Sequence, residues 1–209
     1  MSGNTDTKPS PAGPTVATPR AAAPTKPDRR ILRTRDVLGD ALIALMHEQP
    51  FDSITVQQVL DRAGVSRATF YTHYRDKDDL LFSDVEDFFE TMGAFLTHRG
   101  APLARIFPVE EFFSHLADMR DLNAAINASG KGPDVRELGI GCFARAMEQR
   151  LVLAGVNLAA PELRATGHAL AGALFSLLDW WLGQDKRMPP KEVDALFHRM
   201  AWRGIAGKP

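Results

Sequence analysis

From Arg29 onward the apolar residues recur at intervals of three and four, the repeat that lines side chains along one side of a helix. Leu38, Ala41, Leu42, Leu45 and Met46 form the first such stripe, and Pro50 ends it. Thr55 opens a second helix, because Thr55-Val56-Gln57-Gln58 is a capping box with Val56, Val59 and Leu60 turned inward. Gly64 stands where a left-handed helix end is wanted, and Ser66 is placed to cap a short third helix ending near Tyr74. Asp76 can cap a long fourth helix that runs toward Gly100. Further segments follow over Val109–Met119 and from Leu122 to about Ser129. Pro133 and Pro161 each suit the first turn of a helix, the two ending near Leu153 and Trp181. The Met188-Pro189-Pro190 break precedes a last helix from Lys191 to about Arg203. No alternating strand of useful length intervenes, so the pattern predicts an all-α chain of about nine helices.

The pattern is absent before residue 29. Residues 1–28 hold six of the 14 prolines and no aromatic residue, Leu or Ile. Such a stretch buries too little apolar surface to offset its ordering entropy, and a disordered arm is expected there. The remainder divides into a helix-turn-helix unit over residues 29–80 and a second helical unit over residues 81–209.

Composition narrows the chemistry. No apolar run approaches the roughly 18–20 residues of a membrane span, and the N-terminus has no apolar core of the secretory kind. A single cysteine, Cys142, closes no intrachain disulfide and builds no cysteine-based zinc site. The expected compartment is cytoplasmic, with no membrane partner. The histidines lie too far apart for an i, i+4 metal pair, and neither a nucleophile elbow nor a phosphate-binding glycine loop occurs. No metal, no cofactor and no catalytic residue are therefore expected, and the chain does not read as an enzyme. With 25 Lys+Arg against 26 Asp+Glu, any nucleic-acid binding must come from a local patch.

That patch lies in residues 55–81. Val59, Leu60 and Ala63 pack one side of a short helix, Gly64 permits the turn, and Val65 and Phe70 anchor the next. Arg67, Ala68, Thr69, Tyr71, Thr72 and His73 remain outward: donors, small groups and an aromatic ring, as phosphates and base edges require. The stretch resembles the TetR family of bacterial transcriptional regulators. Thr55, Ala63, Gly64, Val65, Ser66, Thr69, Phe70, Tyr71, His73, Tyr74, Lys77 and Leu80 match the family signature in order and spacing, across roughly a quarter of the chain. Ala68 departs from a frequent Gly and Tyr74 from the usual Phe. The resemblance implies that the third helix enters the major groove of double-stranded operator DNA. Arg67, Thr69, Thr72 and Gln57 are then candidates for base contacts, and Thr55, Tyr71, His73 and Lys77 for phosphate contacts. Ser66 and Ala68 complete the expected DNA-facing set.

Between Arg29 and Lys77 there are eight cations and six anions. One such module holds phosphates weakly, so two modules in a homodimer are expected. Arg29, Arg30, Arg33 and Arg35 could reach the DNA backbone or minor groove, or form a solvated helix start. In the last two helices Leu170, Leu174, Leu177 and Trp181 form one stripe, and Val193, Phe197 and Met200 another. They are expected to close a four-helix bundle across a two-fold axis, as the resemblance also implies; an intramolecular core is the other reading. Gly167, Ala171 and Gly172 would permit the close approach. Phe89, Met92, Phe112, His115, Met119, Phe143 and Met147 are candidates to line a pocket for an unidentified small-molecule effector, although such stripes also build ordinary cores. The expected function is a homodimeric DNA-binding regulator, a repressor released by a ligand. Two alternatives stand beside it: a DNA-binding protein without small-molecule control, and a helical dimer acting through protein contacts alone.

Overall fold

The computed structural model describes residues 29–98 and 102–206; the arm expected over residues 1–28 lies outside them. Among the described residues the regular structure is helical throughout. The elements are α1 (Arg29–Glu48), α2 (Val56–Ala63), α3 (Arg67–His73), α4 (Lys77–His98), α5 (Val109–Asp118), α6 (Arg120–Ala128), α7 (Gly132–Leu153), α8 (Ala160–Leu182) and α9 (Pro190–Ala206). A single 3-10 turn, Phe51–Ser53, links α1 to α2.

Local chemistry sets the ends of the short helices. The Thr55 hydroxyl accepts from the Gln58 backbone N–H at 3.2 Å, and the Gln58 side chain accepts from the Thr55 N–H at 2.8 Å. Gly64 closes α2 at φ 64° and ψ 31°, a backbone geometry that costs a side-chain-bearing residue free energy. Ser66 accepts from the Thr69 N–H at 3.2 Å and starts α3. These caps fix α3 at a defined angle to α2 over only seven residues, a length at which an isolated helix would not persist.

Two apolar cores hold the helices. The first gathers Leu38 and Leu42 of α1, Phe51, Phe70 of α3 and Leu80 of α4, with Ile126 contributed by α6. The second is aromatic, built on Phe107, Phe112, Phe143, Phe175 and Trp181. Helix α4 runs through both: Leu80 and Leu81 belong to the first core and Phe89 to the second. Helix α4 is thus the element shared by the two cores.

Helices α5 and α9 are also joined by charge. Arg105 pairs with Glu111 at 2.6 Å and with Asp194 at 2.9 Å, and Asp194 lies 3.2 Å from His198 Nδ1. The Phe107 N–H donates to His198 Nε2 at 3.4 Å, so Nδ1 carries the ring proton and faces the Asp194 carbonyl at 2.8 Å.

The expected dimer stripes need correction. Leu174, Trp181, Val193 and Phe197 are 0, 2, 0 and 4% exposed and belong to the chain's own aromatic core. Their apolar surface is already covered within one chain and is not available to a second. Gly167 likewise serves α7: a Cβ there would lie 2.7 Å from the Ala144 carbonyl oxygen. Ala171 is fully buried, whereas Gly172 faces open space. Leu170 and Leu177 are half-buried, and Met200 is 59% exposed. Trp180, which the stripe argument passed over, is 48% exposed.

Candidate nucleic-acid interface and effector cavity

Helix α3 is anchored by Phe70, which is fully buried, and by Tyr74 at its C-terminal end. Its other side faces outward. Arg67, Ala68, Tyr71 and Thr72 are exposed, and Thr69 and His73 are half-buried. The Arg67 guanidinium sits 6.0 Å from the centre of the Tyr71 ring, and that ring meets Phe70 edge-on at 5.3 Å. Tyr71 is thereby held upright from the helix. The Thr72 hydroxyl donates to the Ala68 carbonyl at 2.9 Å, and Ser66 is engaged as the cap, sharing a further hydrogen bond with Thr69 Oγ1 at 2.8 Å. Gln57, exposed on the first turn of α2, donates to Asp61 at 2.8 Å. Thr55 and Gln57 thus lie at the N-terminal end of α2, and the turn that presents α3 follows its other end at Gly64.

Two cations expected on this face point inward instead. Lys77 donates to three backbone carbonyls, those of Phe51 at 2.7 Å, Asp52 at 3.2 Å and Ile54 at 2.8 Å. An ammonium has three donors, and all of them are spent inside the fold, so this side chain is a clamp and not a phosphate seat. Arg35 donates to the Tyr74 hydroxyl at 3.3 Å, Ser83 Oγ at 2.8 Å and Asp87 at 2.7 Å, which ties α1 to α4 and to the end of α3. Arg75, just beyond α3, was missed as a candidate; its side chain is 86% exposed while it bonds Asp79 at 3.1 Å. Its position one residue past Tyr74 was the available signal.

A cavity of about 450 Å³ opens between α1, α4, α5 and α6, with α8 behind it. Phe89, Phe112, His115 and Met119 stand on its wall. Phe143 and Met147 do not: both are fully buried and fill the aromatic core. Met92 packs against that core from outside the cavity. His115 stacks on Phe88 with ring centres 4.6 Å apart, and burial holds its imidazole below its ordinary pKa, with Asp118 opposing. The wall also carries Asp36 and Asp40 from α1 and Asp84 and Asp87 from α4. Spacings of four and three residues had placed each pair on one helix face, the signal that the apolar search overlooked.

Residues 38–83 match the family model for bacterial regulatory proteins of the tetR family. They span the second half of α1, the 3-10 turn, α2, α3 and the start of α4. Residues 38–83 are a TetR-family DNA-binding domain. This TetR domain is similar to part of the HTH-type transcriptional regulator YxbF of Bacillus subtilis, 40% identical over 55 residues. That match takes in 26% of this chain and spans only 14% of the relative's length. The fold as a whole resembles a TetR transcriptional regulator of Streptococcus agalactiae, 25% identical, covering 83% of this chain and 96% of that one at a TM-score of 0.55. It also resembles RolR, solved in complex with resorcinol, at 18% identity and a TM-score of 0.56, covering 87% and 96% of the two chains. The TetR domain is therefore joined to a helical body of the same fold. No helix among the described residues is long and apolar enough to cross a membrane.

Proposed function

We propose that this chain is a homodimeric, sequence-specific transcriptional regulator, a repressor released from operator DNA by a small molecule. The observation that carries the reading is the outward face of α3. Arg67, Ala68, Tyr71 and Thr72 stand free on a helix locked by the Ser66 cap and the buried Phe70, inside a TetR-type domain. Arg67 and Thr72 reach base edges, with Gln57 and Thr69 beside them. Tyr71, Thr55 and His73 meet phosphates, together with Arg75 in the place first given to Lys77.

Dimerisation uses the outer sides of α8 and α9, where Leu170, Leu177, Trp180 and Met200 are available. The effector occupies the cavity beside α1, whose wall carries Phe89, Phe112, His115 and Met119. Two recognition helices in one dimer would enter successive major grooves about 34–36 Å apart. A ligand that prefers the DNA-incompetent spacing releases the operator; one with equal affinity for both states shifts nothing. The test is a gel shift of the full-length protein on the DNA upstream of its own gene. Retention of that fragment but not of scrambled DNA supports the reading, and indifference to both contradicts it.

A further inference from the structure

The cavity beside α1 carries more negative charge than its structural role requires. Four carboxylates on its wall, Asp36, Asp40, Asp84 and Asp87, face one guanidinium, that of Arg35. Arg35 matches Asp87 at 2.7 Å. Asp84 is half-buried and lies in a hollow made by Gly39 of α1, where a Cβ would come within 2.3 Å of Asp84 Oδ1. Burial first, and then Asp87, Asp40 and Asp36, push its carboxyl above the ordinary range, with Arg35 opposing. Asp84 is thus crowded both by the fold and by neighbouring carboxylates. The opposite wall is aromatic, with Phe88 stacked on His115 and Phe112 behind Phe88 at 6.3 Å between ring centres.

We infer that this cavity binds an amphipathic organic cation, its apolar body against Phe88, Phe112 and Met119 and its charge among Asp36, Asp40 and Asp84. This rests on the cavity's being the effector site proposed above. Ring faces attract cations, and the carboxylates beside them add charge selectivity, most at the half-buried Asp84. A neutral ligand of the same shape leaves Asp36, Asp40 and Asp84 unmatched, and an anion is repelled by them.

The same geometry supplies the coupling. Arg35 holds the Asp87 carboxylate, Ser83 and the hydroxyl of Tyr74, and Tyr74 terminates the reading helix α3. A cation among Asp36, Asp40 and Asp84 brings like charge to the Arg35 guanidinium and loosens its brace on Tyr74. DNA and cation then weaken each other by the same factor.

The test uses one skeleton in three charge states: 4-(4-biphenylyl)butylamine, the corresponding alcohol and the corresponding carboxylic acid, titrated calorimetrically into the full-length chain. The amine should bind at least about tenfold more tightly than the alcohol, and the acid more weakly than either. Asp84→Asn, and independently the exposed Asp36→Asn, should lower the amine's affinity several-fold and leave the alcohol's unchanged. Equal affinity for amine and alcohol, tighter binding of the acid, no binding of any of the three, or no effect of both substitutions overturns the inference. A chain that retains its upstream DNA but shows no charge preference defeats this inference alone. A chain that never retains DNA defeats the regulator reading, and the calorimetric order of the three probes then still decides the ligand class.

Discussion

The ammonium of Lys77 lies 2.7 Å from the carbonyl oxygen of Phe51 and 4.6 Å from the centre of the same residue's ring. The first residue of α4 is thereby fastened to the 3-10 turn that precedes α2, and the reading helix α3 hangs between the two fixed points. Removing the ammonium leaves three carbonyls without their donor. Lys77→Ala should therefore lower unfolding stability by about 2 kcal/mol, the scale of hydrogen bonds to a charged group. Denaturant unfolding measures this. An unchanged midpoint, with a salt slope of DNA binding reduced by about one, would return Lys77 to the phosphate backbone.

Arg67 has the opposite character, since it stands exposed and touches only the Tyr71 ring. Arg67→Ala should leave stability unchanged, cost about 1–3 kcal/mol of operator affinity and relax preference at one base position. Tyr71→Ala should weaken all sequences alike. Competition binding with single-base operator variants separates the two effects; a uniform loss for both substitutions would deny Arg67 a reading role.

The two sides of α8 and α9 predict different failures. Trp180→Glu should yield a folded monomer, because the exposed indole faces away from the core. Phe197→Ala should cost about 3–5 kcal/mol of stability, as expected for emptying a core site. Sedimentation and thermal melts of the two variants check both. A dimeric Trp180→Glu protein would place the interface elsewhere.

The helices themselves were legible because periodicity and caps are local. Thr55, Gly64 and Ser66 each state a helix end in one or two residues, and Leu38 through Met46 state an inward face. What an apolar stripe cannot state is whose core it enters. Helix α8 is apolar on more than one side; Leu174 and Trp181 went to its own chain, leaving Leu177 half-buried at the core's edge and Trp180 outward. Long cationic side chains were misplaced for a related reason. Lys77 and Arg35 reach partners more than 20 residues away in sequence, and no local rule reports where such a reach ends.

Acid should loosen the join between α5 and α9. Burial alone would raise the Asp194 carboxyl, but hydrogen bonds from His198 and Arg105 override it and hold the group at about 2. The folded value lies below the unfolded value of roughly 3.9, so the stabilisation is complete above that pH and lost as pH falls through about 2. Asp194→Asn should therefore destabilise the protein at neutral pH and flatten its stability profile between roughly pH 4 and pH 2. Urea midpoints across that range measure it; parallel profiles for both proteins would contradict the assignment.

The most direct measurement is equilibrium binding of the full-length protein to a fluorescent duplex from the region upstream of its own gene, at physiological salt. The account predicts a dimer that binds with a Kd of about 10⁻⁸ M or tighter and is weakened by about 1–3 kcal/mol on Arg67→Ala. Binding no tighter than that to unrelated DNA, in the range of about 10⁻⁴–10⁻⁶ M, would contradict it.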